Sequence, residues 1–136
     1  MGKSILVVDD DADDRDLFAE ALREIDQSIY CGFAKDGFEA LDILSRPGNI
    51  LPDFIFLDLN MPRLSGNQFL ALVKKSERLQ KIPVIIFSTS IFKLEADEAK
   101  QLGAAFFLKK PSTFTDLVDS LKNIIANKWK ALNRHG

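Results

Sequence analysis

Acidic side chains stand at two places in the sequence where a short apolar run ends. Three consecutive aspartates, Asp9, Asp10 and Asp11, follow one run, and a single aspartate, Asp58, follows another. Carboxylates that are brought close together repel one another, which raises their pKa values unless a cation joins them. Carboxylate oxygens favour a hard metal ion, and Mg²⁺ is the natural candidate. If the two places meet in the folded chain, they predict a Mg²⁺ site.

Hydroxyl and ammonium groups follow two further apolar runs. Ser88, Thr89 and Ser90 end one run, and Lys109 and Lys110 end the other. A divalent ion would draw in a phosphoryl group, and a carboxylate, a hydroxyl and a lysine would complete a clamp around it. Neighbouring strand residues point to opposite faces, so only one lysine can enter such a site. The residue types therefore favour phosphoryl-transfer chemistry.

The elements that must position these groups form five repeats of a strand followed by a helix. Short apolar, partly β-branched runs are typical of strands that are buried on both faces. The predicted strands are Ile5–Val8, Ile29–Ala34, Phe54–Leu57, Val84–Phe87 and Ala104–Leu108. Apolar residues at helical spacing follow each of them. This alternation predicts an α/β fold with a doubly wound, five-stranded parallel sheet and five helices. Ligands of such sheets bind beyond the carboxyl ends of the strands, where the polar groups above are found.

Length and composition limit the number of domains and the kinds of partner that we expect. We expect 136 residues to form a single domain, with a core over about 4–125 and a helix extension and tail over about 126–136. A net charge of −2 provides no broad cationic field, so nucleic acid is not an expected partner. The apolar runs are too short for a membrane helix, and no signal-peptide pattern is present. The single cysteine, Cys31, cannot form an internal disulfide. We therefore expect a cytoplasmic protein without a membrane partner.

Taken together, the motifs resemble those of the response-regulator receiver family. The matching pieces are Val8-Asp9-Asp10, Leu57-Asp58, Ser88 and Lys110-Pro111, with Asn60-Met61-Pro62 and Ser65-Gly66 after the third strand. The resemblance spans about Ser4 to Ile125. It implies a flavodoxin-like, CheY-like sheet with strand order 2-1-3-4-5. The hydroxyl-rich Ser88-Thr89-Ser90 further resembles phytochrome-associated single-domain regulators.

The resemblance implies roles at the acidic positions. Asp58 matches the aspartate that accepts the phosphoryl group. Asp9 and Asp10 match the acidic pair that holds Mg²⁺ together with Asp58. Asn60 matches the position whose backbone carbonyl ligates the metal. The resemblance thus assigns Mg²⁺ as the cofactor.

It also implies roles at the ends of the last two strands. Ser88 matches the hydroxyl that senses the phosphoryl group. Lys110, rather than Lys109, matches the lysine that pairs with the acyl phosphate, and Pro111 matches a proline usually preceded by a cis peptide bond. Phe107 stands where the family keeps a switch aromatic, often tyrosine, that turns inward on activation. A phenylalanine there provides no hydroxyl for partner contacts.

The implied function is that of a stand-alone response regulator. Asp58 would take a phosphoryl group from a sensor histidine kinase or a phosphotransfer protein. The new state would act on an unidentified downstream protein through the face formed by the fourth helix, fifth strand and fifth helix. A homodimer is a further hypothesis for the partners of the chain. No enzymatic activity is expected beyond the chain's own phosphorylation and dephosphorylation.

Three alternatives remain at this point. A passive phosphoryl shuttle would have the same residues, and a phosphorylation-independent scaffold would need none of them. A Mg²⁺-dependent aspartyl phosphatase is the third. Phosphatases that resemble the haloacid dehalogenases keep a general acid two positions after the nucleophile, where this chain has Asn60, which cannot donate a proton in that way.

Several other polar and aromatic residues are given structural interpretations. Asp13, Asp14 and Asp16 are expected only to complement the dipole of the first helix, and Asp11 to serve as a loop or cap residue. Cys31 is expected to be a buried hydrophobe, and Trp129 to pack under the extension of the last helix. His135, the only histidine, lacks partners for a metal site.

Overall fold

The computed structural model describes residues 3–48, 50–61 and 63–126. Strands and helices alternate along the chain. The elements are β1 (Ser4–Val8), α1 (Ala12–Ile25), β2 (Tyr30–Ala34), α2 (Gly37–Ser45), β3 (Phe54–Leu57), α3 (Gly66–Lys75), β4 (Val84–Ser88), α4 (Lys93–Leu102), β5 (Phe106–Lys109) and α5 (Phe114–Ile125). The expectations for Trp129, His135 and the tail beyond Ala126 lie outside the described residues, as does Pro62.

The five strands form one parallel sheet in the order β2-β1-β3-β4-β5, which confirms the predicted fold. The predicted bounds of β3 are those observed, while β5 begins two residues later than predicted. The delay arises because Gly103, with a φ of 103°, ends α4 in a left-handed turn, and the Ala104 N–H donates to the Ala99 carbonyl. Ala104 therefore belongs to the helix cap rather than to the sheet.

Side chains alternate between the two faces of the sheet and build a core on each. On one face, Leu6, Val8, Ile55 and Leu57 belong to a buried cluster that also includes residues of α2, α3 and α4. On the other face, Ile5, Val7, Phe54 and Phe56 join residues of α1 and α5. Burying a side chain of this size stabilises a fold by about 1.5–3 kcal/mol before entropy is counted. The two cores hold the ends of the strands in register.

Side-chain caps fix where four of the five helices begin. Asp11, Asp36, Ser65 and Thr113 each accept a hydrogen bond from the backbone N–H three residues later. The cap role expected for Asp11 is thereby confirmed. Helix α4 differs, because its N-cap, Phe92, makes no side-chain cap bond and Ala99 is its only buried residue.

Cys31 is half-buried, packs beside the α1–α5 core, and has a pKa that burial raises to about 12. The thiol is therefore protonated at neutral pH. Within the described residues, no helix combines the length and the apolar character needed to cross a membrane.

Candidate functional site

The strand order brings four chain segments together at the carboxyl edge of the sheet. Strands β1 and β3 are neighbours, and the Asp58 N–H donates to the Val8 carbonyl at 3.0 Å. Ser88 ends β4 on the other side of β3. The Lys110 N–H donates to the Ser88 carbonyl at 2.9 Å, which fixes the chain after β5. Residues far apart in sequence thus meet within one small site.

Three carboxylates form the acidic part of the site. Asp9, Asp10 and Asp58 each offer an oxygen, and these atoms all lie within 4.8 Å of one another. Asp9 and Asp58 are buried, whereas Asp10 is exposed. Burial raises the pKa of Asp9, with a contribution from the charge of Asp58, although hydrogen bonds from Lys110 and the Asp11 N–H act in the opposite direction. Since the ionised cluster is costly without a further cation, the residues fit a divalent metal ion.

Asp58 is held in a defined orientation by donors on both of its oxygens. Its Oδ1 accepts from the Ser88 hydroxyl at 2.6 Å and from the Asn60 N–H at 2.9 Å. Its Oδ2 lies 3.3 Å from the Lys110 ammonium. The Ser88 hydroxyl in turn accepts from the Leu59 N–H at 2.8 Å. Ser88 is thus already in contact with the unmodified carboxylate, and contact does not require it to move closer.

Asn60 lies beside Asp58 and links two loops. Besides the backbone donation to Asp58, its side-chain amide donates to the Ser90 carbonyl at 3.2 Å. This bond joins the segment after β3 to the loop after β4. The role of the Asn60 backbone carbonyl as a metal ligand stays a prediction.

Lys110 is the lysine that enters the site. Its side chain is only 10% exposed, and its ammonium lies 2.7 Å from Asp9 and 2.7 Å from Asp14. The neighbouring Lys109 is exposed, as expected from strand alternation. Burial alone would lower the pKa of Lys110, but hydrogen bonds with Asp14 and Asp9 and the charges of Asp58 and Asp9 raise it above its usual value. The ammonium therefore stays charged.

The expectation of a cis peptide bond before Pro111 is wrong. No cis bond occurs among the described residues, so Lys110 reaches the site from a trans backbone. The trans isomer is the lower in energy for such bonds, by about 0.5–1 kcal/mol.

The interpretation of Asp14 as a residue that only complements the α1 dipole is also wrong. Its Oδ2 pairs with the ammonium of Lys110, 96 positions further along the chain. The sequence carried no signal for this pair, because it depends on how the turn after β1 aims the first turn of α1. Phe87 was likewise not singled out, although its ring lies 5.7 Å from the ammonium. It meets Phe18 and Phe56 edge to face beneath the site.

Phe107 lies on β5, which β4 separates from β3 and the acidic cluster. It pairs in register with Ile86, is half-buried, and packs against the core on the side of α2, α3 and α4. The expectation that its ring turns inward on activation stays a prediction.

Gly66, the first residue of α3, lies directly against the backbone of the Asp58 segment. A Cβ at this position would be 2.6 Å from the Leu59 Cα and 2.7 Å from the Asp58 carbonyl oxygen. We therefore expect Gly66→Ala to lower the free energy of unfolding by about 2 kcal/mol or more, because rigid backbone must move. Urea denaturation measures the loss. Gly32→Ala is the control, since a Cβ there would meet its nearest neighbour at 3.6 Å, and equal stability of the two variants would contradict this prediction.

Comparisons with known proteins show the family and the fold of the chain. The family model of the response regulator receiver domain matches residues 5–122. The chain is 32% identical to the probable methanogenesis regulatory protein FilR2 of Methanothrix harundinacea, over 96% of this chain and 85% of that protein. Other relatives are longer, and the chain spans 35% of the protein-glutamate methylesterase/protein-glutamine glutaminase of Methanococcoides burtonii, with 36% identity over 93% of its own length.

Two solved structures of response regulators have folds similar to that of this chain. The phosphorylated cyanobacterial phytochrome response regulator RcpA superposes with a TM-score of 0.84 at 30% identity, covering 91% of each chain. The Mn²⁺-bound response regulator Rcp1 superposes with a TM-score of 0.79 at 29% identity, covering 90% of this chain and 91% of that one. Rcp1 of Synechocystis is also 30% identical in sequence, over 90% of this chain and 86% of that protein.

The fold and the acidic strand-end site define a receiver module of two-component signalling. The chain belongs to the response regulator receiver domain family. The expected resemblance to phytochrome-associated regulators is confirmed by the same comparisons.

Proposed function

We propose that this chain is a single receiver domain over residues 1–136 that works as a phosphorylation-dependent switch. Asp58 accepts a phosphoryl group from the phosphohistidine of a sensor histidine kinase or a phosphotransfer protein. The observation that carries the proposal is the convergence on Asp58 of two further carboxylates, one hydroxyl and one ammonium.

In the proposed reaction, an oxygen of the Asp58 carboxylate attacks the phosphorus. A new P–O bond forms while the bond from phosphorus to the donor nitrogen breaks, and the bonding electron pair stays on the nitrogen. Asp9, Asp10 and Asp58, with the Asn60 carbonyl, would hold Mg²⁺, which when bound neutralises charge that develops on the phosphoryl oxygens. Lys110, whose ammonium lies 3.3 Å from the Asp58 Oδ2, supplies a second, fixed positive charge.

The metal assignment is supported by the donor set and by one relative. All three side-chain ligands are carboxylates, which suit Mg²⁺ or Mn²⁺. The Rcp1 structure of similar fold was obtained in an Mn²⁺-bound form. The methylesterase activity of the longer relatives is not part of the proposal, because the chain covers only about a third of them.

The direct test is phosphorylation by acetyl phosphate. We expect the purified protein to gain the mass of one phosphoryl group in the presence of Mg²⁺, and to gain almost none in EDTA. Intact-mass spectrometry measures both. Equal uptake in EDTA would overturn the metal-dependent mechanism, and no uptake in Mg²⁺ would overturn the proposed function.

The proposed output runs from Ser88 to Phe107 and the face formed by α4, β5 and α5. The Ser88 hydroxyl bonds the unmodified carboxylate, and phosphorylation would add phosphoryl oxygens that compete with it as charged acceptors. Phe107 lies on the neighbouring strand β5, where it pairs with Ile86, two residues before Ser88, and it packs on the α4 side. A change at Ser88 can therefore reach the surface that a downstream protein would contact.

We expect Ser88→Ala to accept the phosphoryl group and yet respond poorly. Because the hydroxyl already bonds the Asp58 carboxylate, only the difference between its bonds to the two acceptors can shift the population, and a difference of about 1.4 kcal/mol changes a two-state population roughly tenfold. NMR shifts over 104–108 and α4, with and without beryllofluoride as a phosphoryl mimic, measure the response. Thr89→Ala is the control, because Thr89 is exposed. Unchanged wild-type spectra with ligand bound at Asp58 would instead favour a passive phosphoryl shuttle.

A further inference from the structure

Lys110 is shared among three carboxylates, and one of them lies outside the group that could hold a metal. Asp9 and Asp58 belong to that group, whereas Asp14 does not. The ammonium is nevertheless closer to Asp14, at 2.7 Å, than to Asp58, at 3.3 Å. A residue of α1 thus holds the Lys110 ammonium as closely as Asp9 does, and more closely than the expected phosphoacceptor does.

Asp14 is fixed in this position by the start of its helix. Its N–H donates to the Asp11 side chain at 3.1 Å, the bond that caps α1. One residue later, the Arg15 guanidinium donates to the Asp9 carbonyl at 2.7 Å, which ties the first turn of α1 to the end of β1. The Asp14 side chain is about one-third exposed, at 32%, while that of Lys110 is mostly buried. The carboxylate therefore faces both the site and the solvent from which a donor arrives.

We infer that Asp14 is a positioning residue that holds the Lys110 ammonium and competes for it with the phosphoryl group on Asp58. This inference rests on the proposed function. An incoming phosphoryl group must share an ammonium that Asp14 already occupies, and it meets one further negative charge at the mouth of the site. Asp14 thereby slows phosphorylation of Asp58 and favours Mg²⁺ binding at the carboxyl edge of the sheet.

Asp14→Asn should reveal both effects, because it removes the negative charge and keeps the shape of the side chain. At saturating Mg²⁺, we expect acetyl phosphate to modify the variant about three- to tenfold faster than the wild type. The Mg²⁺ dissociation constant should rise about two- to fivefold, since one negative charge is lost and the freed ammonium competes for Asp9 and Asp58. The loss of a purely structural residue would not speed phosphorylation while it weakens Mg²⁺ binding.

Asp13→Asn is the matched control. Asp13 is exposed and stands in the same first turn, so the change removes the same charge from the helix terminus. Time courses by intact mass give the rates, and calorimetry gives Mg²⁺ affinity. In metal-free protein, the NMR signals of the Lys110 ammonium and its neighbouring methylene should shift in Asp14→Asn and stay in place in Asp13→Asn.

The outcomes are distinct. Faster phosphorylation and weaker Mg²⁺ binding in Asp14→Asn alone support the inference. Rates that match those of Asp13→Asn, or that fall below wild type at saturating Mg²⁺, overturn it. If the wild type takes up no phosphoryl group, the proposed function fails. The metal-free NMR comparison still decides whether Asp14 holds Lys110.

Discussion

Asp58→Asn is expected to reduce the uptake of a phosphoryl group from acetyl phosphate by about 1000-fold or more, because a neutral amide is a far weaker nucleophile than a carboxylate. The amide oxygen can still accept from the Ser88 hydroxyl and the Asn60 N–H, which hold Oδ1 in the wild type. The fold should therefore persist. Removing this charge should also lower the pKa of Asp9, since the charge of Asp58 helps to raise it. Intact mass after incubation with Mg²⁺ measures the loss.

Asp53→Asn is the control for this prediction. Asp53 stands next to the amino end of β3, opposite the site, where its carboxylate accepts from the Ser4 N–H at 2.7 Å. The Asp53→Asn variant carries the same chemical change, from aspartate to asparagine, and its uptake of a phosphoryl group should equal that of the wild type. If Asp58→Asn still carries a full label, another residue is the acceptor.

Lys110→Ala is expected to produce the second large effect, on stability and on phosphorylation together. Without the ammonium, Asp9, Asp14 and Asp58 would lose their shared cation, and breaking such a buried pair costs about 3–5 kcal/mol. Urea denaturation in EDTA measures this cost. Mg²⁺ should recover part of it, because a bound divalent ion would again neutralise Asp9 and Asp58. The phosphorylation rate should fall roughly 100-fold, as is typical when a charge-stabilising donor is removed.

Lys109→Ala is the matched variant, one residue away on the exposed side. Its free energy of unfolding should stay within about 0.5 kcal/mol of the wild type. A larger loss of stability or of phosphorylation in Lys109→Ala than in Lys110→Ala would show that the wrong lysine has been assigned to the site.

The strands could be predicted from sequence because their apolar runs are short, β-branched and buried on both faces. Residues Phe54–Leu57 are a clear case, since all four are buried and both ends are marked by aspartate. The start of β5 could not be predicted as well, because Ala104 and Ala105 are apolar whether they cap a helix or enter a strand. Only the left-handed turn at Gly103 separates the two outcomes. The order of the strands came from the family resemblance rather than from periodicity.

The meeting of Asp9 and Asp58 could be predicted because carboxyl ends of parallel strands share one edge. The choice of Lys110 followed from strand alternation together with the family pattern. Asp14 could not be found in this way, because a helix residue reaches a strand-end site only when the intervening turn aims it there. The contact of Ser88 with unmodified Asp58 was also beyond sequence, since it depends on the rotation of one hydroxyl.

The sparse anchoring of α4 sets where the molecule can rearrange at low cost. With Ala99 as its only buried residue and no side-chain cap at Phe92, α4 exposes few buried side chains when it opens. Helix α3, by comparison, buries Phe69, Leu70 and Val73 and begins with a reciprocal capping box. Local opening free energies in proteins range from nearly zero to that of global unfolding, and elements with few buried contacts fall at the low end. Amide hydrogen exchange should therefore differ among the helices that cover the sheet. We expect α4 to be the least protected of them and α3 to be among the slowest to exchange.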